Sequence, residues 1–446
     1  MYLPDDILEI LSLMKSNGIS AYVVGGAVRD ILMGRMPDDY DMAAECLPDD
    51  LIRAFSDRKT VDTGIRFGTL SVFTGKRYVE ITCCRSEGGY SDLRRPDSVA
   101  YCKSIEKDLA RRDFTVNAIA MTADGKLIDP YGGQADISCK IIRAVGDPSV
   151  RFREDALRII RALRFASTLG FAIDDRTCDA IHDCSELLRS VSGERVFVEL
   201  KKLLLGNAVL PVLMDYSDVI TVIIPELSEC IGFSQNNPHH IYTVYEHIAR
   251  SVAAAPKDVY IRLCMLLHDI AKPASYTVDE KGIGHFYGHP EVSMKMAKDI
   301  LRRLKADTET VNHVCFLIKY HDTRPAATRK SLLKYLTKVG FGYGLELIDV
   351  RRADLSAQSP AYFDQFEYLE ESSRLIKELQ EEKACIKVSD LAVNGNDLIK
   401  LGIPAGRKVG ETLSYLLSKV VSEKVTNDRD SLLALAKKNI NRFTDK

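Results

Sequence analysis

Two glycines and two aspartates lie close together near the start of the sequence. Gly25 and Gly26 are followed by Arg29, and Asp39 and Asp41 come shortly after. Adjacent glycines let backbone N–H groups approach a phosphate closely, and an arginine adds a fork of donors. Because side chains alternate along a strand, Asp39 and Asp41 are predicted to point to one face. Two carboxylates on one face hold hard divalent cations such as Mg²⁺, so the pattern predicts metal-dependent nucleotidyl transfer.

A second polar group follows an arginine pair. Arg112 precedes Asp113, and Asn117 comes one helical turn later. In a helix, residues at i and i+4 share a face, so these two side chains are predicted to lie together. A carboxylate beside an amide can hold a ribose hydroxyl. The alternative is a helix N-cap by Asp113 with a buried Asn117.

A third pair, Asp155 and Arg158, is spaced to share one face of a helix. An aspartate accepts from an exocyclic amino group, and an arginine donates to a ring nitrogen or a carbonyl. Cytosine and adenine offer an amino donor beside an acceptor, whereas uracil and guanine mismatch this pair. The spacing therefore favours selection of CTP and ATP by protein side chains. The alternative is a surface ion pair worth about 0.3 kcal/mol.

The histidines crowd the middle of the chain. His268 and Asp269 end the apolar run 263–267, so this pair is predicted to project from a buried helix. Imidazole and carboxylate groups spread over several segments suit a divalent transition metal or Mg²⁺. The predicted ligand set is His247, His268, Asp269, His289, His321 and Asp354. The alternative is a structural domain that has lost its activity.

Short strands and helices must position the first set of residues. The predicted strands cover 19–25, 69–74 and 77–83, and the predicted helices cover 27–33, 155–170 and 193–206. Residues 86–96 are rich in Gly, Ser and Arg and are predicted to form a mobile loop. From about residue 141 onward, helical periodicity takes over.

Composition predicts a folded protein with several domains. The length of 446 residues suggests about two to four domains, and 46% hydrophobic with 28% charged residues is typical of globular chains. No run of about 18 apolar residues occurs, so no membrane span is expected. The scattered cysteines lack a C-x-x-C spacing, which favours reduced thiols and a cytoplasmic protein.

Several motifs occur in order between about residues 20 and 205. Jointly they resemble the bacterial-type (class II) CCA-adding tRNA nucleotidyltransferases of the DNA polymerase beta superfamily. The motifs are Gly25-Gly26-Ala27-Val28-Arg29-Asp30, Asp39-x-Asp41, Arg111-Arg112-Asp113-Phe114-Thr115-Val116-Asn117-Ala118, Asp129-Pro130-Tyr131-Gly132-Gly133-Gln134, Glu154-Asp155-x-x-Arg158 and Glu194-Arg195-Val196-Phe197-Val198-Glu199-Leu200.

The resemblance implies Mg²⁺ on Asp39 and Asp41 and addition of CCA from CTP and ATP to the tRNA 3′ end. It implies that Asp155 and Arg158 select the base. Family members also use arginines further along that helix to bind the nucleotide, and these are here Arg161 and Arg164. The implied triphosphate and sugar contacts are Gly25, Gly26, Arg29, Arg112, Asp113 and Asn117. Glu80 is the candidate for a third metal-site carboxylate. A close relative, a poly(A) polymerase or an A-only adding enzyme, is the alternative.

The histidine set resembles the HD phosphohydrolase superfamily. Its ligands are here His247, His268, Asp269 and Asp354, and His289 and His321 complete a two-metal version. This resemblance implies metal-activated water that attacks a phosphomonoester or a 2′,3′-cyclic phosphate.

The expected fold is an α/β N-terminal nucleotidyltransferase domain with a polymerase-beta-like palm, followed by all-α neck, HD and tail domains. The expected domains are a head (1–140), a helical neck for base selection and RNA binding (141–235), an HD domain (236–360) and a helical tail for tRNA binding (361–446). We expect a monomer or a homodimer.

Overall fold

The chain forms two compact units. The computed structural model describes residues 3–62, 64–88 and 98–444. The first unit comprises the residues up to Ser228 together with Arg303–Ala306, and the second comprises Glu229–Arg302 and the residues from Asp307 onward. The division into four domains stays a prediction. Among the described residues, the helices are too short or too polar to cross a membrane.

A seven-stranded mixed sheet forms the centre of the first unit. The strands of this unit are β1 (Ala21–Val24), β2 (Asp41–Ala44), β3 (Thr60–Val61), β4 (Thr69–Phe73), β5 (Tyr78–Cys83), β6 (Arg85–Gly88), β7 (Ser98–Tyr101), β8 (Ala120–Met121), β9 (Leu127–Ile128), β10 (Ile141–Ile142) and β11 (Ala172–Ile173). The order in the large sheet is β3-β4-β5-β2-β1-β8-β9. In this order β2 lies in the middle of the sheet, between β5 and β1, where its neighbours fix its register on both sides.

Helices surround this sheet and continue beyond it. They are α1 (Asp5–Ser16), α2 (Gly26–Leu32), α3 (Pro48–Ala54), α4 (Ile105–Ala110), α5 (Gly133–Cys139), α6 (Pro148–Glu154), α7 (Leu157–Leu169), α8 (Asp175–Cys184), α9 (Gly193–Leu204), α10 (Val209–Asp215) and α11 (Ser217–Ile223). The apolar face of α7 packs against α9, and the Ser167 hydroxyl donates to the Leu203 carbonyl at 2.7 Å. Gly206 follows α9, and a Cβ there would lie 2.0 Å from the Ser167 Oγ, so this close packing requires glycine.

The second unit is almost entirely helical. Its helices are α12 (Val244–Ala254), α13 (Val259–Leu267), α14 (His289–Arg303), α15 (Thr308–Tyr320), α16 (Arg329–Ser356), α17 (Gln365–Glu381), α18 (Gly395–Lys400), α19 (Arg407–Val421), α20 (Arg429–Lys438) and α21 (Asn441–Thr444), and its short hairpin pairs β12 (Thr277–Val278) with β13 (Gly284–His285). The predicted succession of an α/β front and a helical remainder is thus confirmed.

Several predicted elements are confirmed at nearly the expected bounds. The strand predicted over 19–25 is β1, and the helix over 27–33 is α2, which ends before Gly34 with its φ of 72°. The predicted pair 69–74 and 77–83 forms the antiparallel hairpin of β4 and β5. The helix predicted over 193–206 is α9.

One prediction of local structure is wrong, and one confirmed helix begins later than expected. Part of the segment 86–96, expected as a loop, belongs to β6, which pairs with β7 from Arg85↔Tyr101 to Gly88↔Ser98. The rest of that loop prediction lies outside the described residues. The helix expected over 155–170 starts only at Leu157, because Asp155 has extended backbone angles (φ −143°, ψ 103°) and separates α6 from α7.

Candidate functional site

The sheet pairs the carboxylates of Asp41 and Glu80, and Asp39 comes just before the strand that carries Asp41. In the antiparallel pair of β1 and β2, Val24 lies opposite Asp41, and in the parallel pair of β2 and β5, Asp41 lies opposite Glu80. The strand β2 starts at Asp41, so Asp39 precedes it rather than lying within it. Burial nevertheless alternates, since Tyr40 is buried between two exposed aspartates. Asp39 and Asp41 therefore share one side of the chain, as the alternation along an extended segment predicts.

The pKa of Asp41 responds to the charges of its neighbours. Desolvation by the surrounding protein raises the pKa of the Asp41 carboxyl, and the negative charges of Glu80 and Asp39 raise it further. Arg112 opposes them with its positive charge. A carboxylate that its neighbours repel is stabilised by a cation, so the residues present fit a divalent metal ion.

The glycine turn lies directly beside these carboxylates. Gly25 follows β1 immediately after Val24 and has a φ of 73°, which L side chains rarely adopt. A Cβ on Gly25 would lie 3.1 Å from Nη1 of Arg112, and a Cβ on Gly26 would lie 3.5 Å from Nη2 of Arg29. Two guanidinium groups thus converge on the turn that opens α2, which is a suitable arrangement for a polyphosphate.

A chain of hydrogen bonds connects this turn to the helix α7. Arg29 donates to the Asn117 side chain at 2.8 Å, and the Asn117 amide donates to Asp113 at 3.4 Å. Asp113 in turn accepts from two nitrogens of Arg161, at 2.9 and 2.6 Å. Asp113 and Asn117 lie together as predicted, but they lie on a turn and a 3₁₀ segment rather than on one α-helix.

Asp113 is buried and ionised. Burial would raise the pKa of this side chain, but the charge and hydrogen bonds of Arg161 outweigh burial and bring the pKa to about 2. Arg164 lies one turn further along α7, pairs with Glu199 at 2.8 Å, and has its pKa lowered to about 10 by burial. Both arginines therefore contact carboxylates of the protein, and Glu199 on α9 also lies 3.6 Å from Arg161.

The two residues predicted to select the base, Asp155 and Arg158, do not lie on one face of a helix. Asp155 accepts from Arg195 of α9 at 3.0 Å. Arg158 donates to Glu154 at 2.7 Å and to the Arg111 carbonyl at 2.9 Å. The expectation that these two side chains share a helix face is wrong, because the backbone breaks at Asp155 before α7 begins.

Sequence reasoning missed the partners Arg195 and Glu199. Both lie on α9, spaced by one helical turn, within a motif that was recognised but not assigned a contact. Their contacts depend on the packing of α9 against α7, and no local pattern in the sequence predicts that packing.

The second unit brings the other six predicted residues to one place. They are His247 in α12, His268 and Asp269 after α13, His289 at the start of α14, His321 after α15, and Asp354 in α16. All of them are buried. Ligand atoms lie within 4.8 Å of one another in two groups, which are His247, His268, Asp269 and Asp354, and Asp269, His289 and His321. Asp269 belongs to both groups.

The two oxygens of Asp269 face different histidines. Oδ2 lies 3.2 Å from Nε2 of both His247 and His268. Oδ1 lies 3.2 Å from Nε2 of His289 and 3.8 Å from that of His321. A carboxylate that reaches two groups of imidazoles in this way is suited to bridge two metal ions.

The ring orientation of the four histidines fits metal binding. In each, Nδ1 lies within hydrogen-bond distance of a backbone carbonyl, so this nitrogen carries the proton and donates it. The acceptors for His247, His268, His289 and His321 are the carbonyls of Ala357, Met265, Phe286 and Ile318, at 3.0, 2.8, 2.8 and 2.7 Å. The Nε2 lone pairs therefore face inward, as in histidine ligands whose outer nitrogen is fixed by a second hydrogen bond.

These inward nitrogens lie unusually close in pairs. The Nε2 atoms of His247 and His268 are 3.3 Å apart, and so are those of His289 and His321. Two lone pairs at this distance repel unless a cation or a proton lies between them. Asp269 and Asp354 raise the pKa of His268 to about 9 against the opposing effect of burial, so the site strongly attracts positive charge.

A cavity of about 250 Å³ opens over this site. Lys272 reaches it from the turn after α13, and its Nζ forms an ion pair with Asp269 at 2.7 Å and donates to Gln235 at 2.8 Å. His240 lies on the same wall, and burial together with the charge of Lys272 lowers its pKa to about 2. A buried lysine beside this cluster therefore adds a positive charge to the wall of the cavity.

Family models match three parts of the chain. Residues 21–143 match the model described as Poly A polymerase head domain. Residues 170–231 match "Probable RNA and SrmB- binding site of polymerase A", and residues 284–436 match a tRNA nucleotidyltransferase domain 2. The sheet with its carboxylates and its glycine turn, together with the head-domain match, defines a nucleotidyltransferase.

Relatives extend this match over the whole chain. A CCA-adding enzyme of Geobacillus kaustophilus (strain HTA426) is 34% identical over 444 residues, which cover 96% of each chain. With 32% identity, the crystal structure of the Bacillus stearothermophilus CCA-adding enzyme in complex with CTP covers 100% of both chains at a TM-score of 0.74. This chain belongs to the CCA-adding enzyme family of tRNA nucleotidyltransferases.

Proposed function

We propose that this enzyme adds and repairs the 3′-terminal CCA of tRNA, using CTP and ATP without a nucleic-acid template and releasing pyrophosphate. One observation carries the proposal: Asp41 is paired with Val24 in the sheet, and Gly25 of the phosphate turn is the next residue. Arg112 interacts electrostatically with Asp41 and lies against Gly25. Carboxylates for a metal ion and donors for a polyphosphate therefore lie side by side.

Asp39 and Asp41 would hold Mg²⁺, and Glu80 would join them as a third carboxylate. The ion, when bound, supplies activation of the tRNA 3′-hydroxyl and neutralises charge on the leaving pyrophosphate. The protein positions the reacting groups: the turn at Gly25 and Gly26 and the two arginines beside it orient the triphosphate for in-line attack on the α-phosphate. Asp113 and Asn117 receive the ribose.

Asp155 and Arg158 select the base in this proposal. Arg195 holds the Asp155 carboxylate, and Glu154 with the Arg111 carbonyl holds the Arg158 guanidinium. These contacts fix both side chains before a nucleotide arrives. Cytosine and adenine present an amino donor and a ring acceptor to such a pair, and uracil and guanine do not.

The RNA partner is the 3′ end of tRNA. We propose that the helices beyond the sheet hold the duplex arms through phosphates, so that recognition depends on duplex shape and on salt concentration rather than on sequence. The match of residues 170–231 to an RNA-binding model supports this proposal.

Nucleotide addition tests the proposal directly. A tRNA transcript that lacks CCA is incubated with each of the four nucleotides alone and with CTP plus ATP. The proposal predicts two additions from CTP, one further addition from ATP, and then arrest. Addition of adenosine alone, or of a long adenosine tract, would instead identify an A-only adding enzyme or a poly(A) polymerase.

We further propose that the second site is an HD-type metal phosphohydrolase that acts as a phosphatase or a 2′,3′-cyclic phosphodiesterase. Its support is the convergence of four Nε2 lone pairs and two carboxylates, one of which bridges both groups. Imidazole with carboxylate ligands suits Mn²⁺, Ni²⁺, Co²⁺, iron or Mg²⁺. A bound metal supplies a nucleophilic water, while Lys272 places a positive charge next to the phosphate.

Metal analysis and phosphate release test this second activity. The protein is stripped with a chelator, reloaded with each divalent ion, and assayed on a phosphomonoester and on a 2′,3′-cyclic nucleotide. We expect about two bound ions per chain at this site and hydrolysis that depends on them. An Asp269→Asn variant that binds and hydrolyses as well as the parent would contradict the assignment.

A further inference from the structure

The cavity above the histidine cluster has an aromatic rim. His285 and Tyr287 line its mouth, at the end of the hairpin formed by β12 and β13. Their rings are stacked, with centroids 5.3 Å apart and planes inclined by only 10°. Tyr287 is nevertheless 75% exposed, so most of its ring surface faces solvent.

The stack is held in a fixed orientation. Nε2 of His285 lies 2.9 Å from Oδ2 of Asp279, and Oδ1 of the same carboxylate accepts the backbone N–H groups of Lys281 and Ile283. The hairpin register places His285 opposite Thr277. The Asp279 carboxylate thus holds one edge of the His285 ring, and the face of that ring packs against Tyr287. A rigid aromatic ring with an open surface at the mouth of a site is suited to stack on a planar ligand.

The same cavity offers positive charge for an anion. Lys272 is buried at its floor, where it contacts Asp269, and Arg324 lies on its wall. The floor also carries the inward nitrogens of His289 and His321. A ligand that fits both parts has a phosphate at one end and a flat ring at the other, which is the chemistry of a nucleotide.

We propose that Tyr287, supported by His285, is the base-stacking residue of the second site. The proposal rests on the phosphohydrolase function proposed above and assigns a nucleotide phosphoester as the ligand. The nucleotide comes either from a free nucleoside monophosphate or from the 3′-terminal residue of an RNA. Base stacking on an aromatic side chain tolerates any base, so the stack distinguishes nucleotides from other phosphoesters rather than one base from another.

Binding measurements separate the ring from the phosphate. The parent for this experiment carries Asp39→Asn and Asp41→Asn, which remove metal-dependent nucleotide binding at the first site. Calorimetry compares adenosine 3′-monophosphate, glycerol 2-phosphate and a short RNA ending in a 3′-phosphate. The variants are Tyr287→Ala, Tyr287→Phe and, as a control on the same hairpin, the exposed Val278→Ala.

We expect Tyr287→Ala to weaken binding of adenosine 3′-monophosphate about tenfold and to leave glycerol 2-phosphate within about twofold. Tyr287→Phe and Val278→Ala retain the affinity of the parent. A larger loss with the RNA than with the free nucleotide identifies the RNA end as the source, and an equal loss identifies the free nucleotide.

Hydrolysis of the same phosphoesters distinguishes this inference from the function on which it rests. If Tyr287→Ala changes neither the affinities nor the hydrolysis of the nucleotide and of glycerol 2-phosphate, the stacking role is overturned and the phosphohydrolase function stands. Binding that depends on Tyr287 without any hydrolysis overturns the phosphohydrolase and leaves the nucleotide site. Absence of both binding and hydrolysis overturns both.

Discussion

Asp41 on β2 and Glu80 on β5 lie directly opposite each other in a parallel ladder. Residues in register on neighbouring strands point to the same face of a sheet, so the two carboxylates face the same solvent region. The negative charge of Glu80 contributes to the raised pKa of Asp41. This relationship gives Glu80, which stood alone as a candidate for the third carboxylate, a structural position beside the proposed metal ligand Asp41.

Replacing Glu80 with Gln tests this position. We expect nucleotide addition to fall at least about tenfold and the Mg²⁺ concentration for half-maximal rate to rise, because one negative charge beside the ion is lost. Initial rates over a range of Mg²⁺ concentrations measure both effects. Asp57→Asn, an exposed acid in the same unit, is the control. Equal Mg²⁺ dependence in both variants would remove Glu80 from the site.

The glycine turn has a matched control within the chain. Gly25 and Gly34 have nearly the same φ, 73° and 72°, but only at Gly25 does a new Cβ meet an arginine. Both Gly25→Ala and Gly34→Ala place a side chain on a residue with positive φ, which strains the backbone by about 1 kcal/mol or more. We expect Gly25→Ala to raise the KM for CTP about tenfold or more and Gly34→Ala to leave it unchanged. Similar KM values for the two variants would show that the turn does not bind the triphosphate.

The buried pair of Asp113 and Arg161 predicts a specific dependence on pH. With a pKa of about 2, the Asp113 carboxylate stabilises the fold fully above its unfolded pKa, near 4, and this contribution is lost as pH falls from about 4 to about 2. In Arg161→Gln the buried carboxylate loses its partner, and we expect unfolding of the first unit to become easier by about 3 kcal/mol.

In Arg161→Gln, the shift of the Asp113 pKa changes sign. Without Arg161, burial raises the pKa of Asp113 above its unfolded value, so protonation in acid relieves the cost. The difference in Tm between parent and variant is therefore largest at neutral pH and shrinks toward pH 4. Calorimetric scans between pH 4 and 8 measure it, and a difference that stays constant with pH would contradict the assignment of charge to Asp113.

Removing the bridging carboxylate tests the second site independently of any substrate. Metal ions that bind only the folded protein stabilise it, so reloading the stripped parent with Mn²⁺ should raise the Tm of the second unit by several degrees. Asp269→Asn should abolish this rise, since Asp269 reaches both groups of histidines. As a control, Asp299→Asn changes an exposed acid outside the cluster and should retain the rise. Stabilisation by Mn²⁺ in Asp269→Asn would show that the ion binds elsewhere.

Sequence reasoning predicted which candidate residues lie together better than it predicted the local structure around them. Asp39, Asp41 and the turn at Gly25 could be placed because a short alternating segment and a glycine pair carry their geometry within a few residues. His268 and Asp269 could be placed because an apolar run ends there. In each case the informative contacts are local.

The contacts that sequence reasoning missed are long-range. The break before α7 has a local signal, since Asp155 accepts the Leu157 N–H at 3.2 Å, but aspartate also occurs inside helices and so does not fix the boundary alone. The partner of Asp155 is Arg195, on a helix packed in three dimensions. Likewise, the role of Asp269 as a bridge depends on how α12, α14 and α15 meet around it. Pairings of this kind are decided by tertiary packing, and spacing along the chain does not reveal them.

Nucleotide addition to a tRNA that lacks CCA tests the central claim most directly, when the parent is compared with Asp155→Asn and with the exposed control Glu186→Gln. The parent and the control should add C, C and A in order and then stop, with UTP and GTP rejected. In Asp155→Asn, the preference for CTP and ATP over UTP and GTP should fall about 5- to 100-fold, which is the discrimination that one side-chain-to-base pair provides. A parent that incorporates UTP or GTP as readily as CTP, or that extends adenosine without limit, would contradict the account.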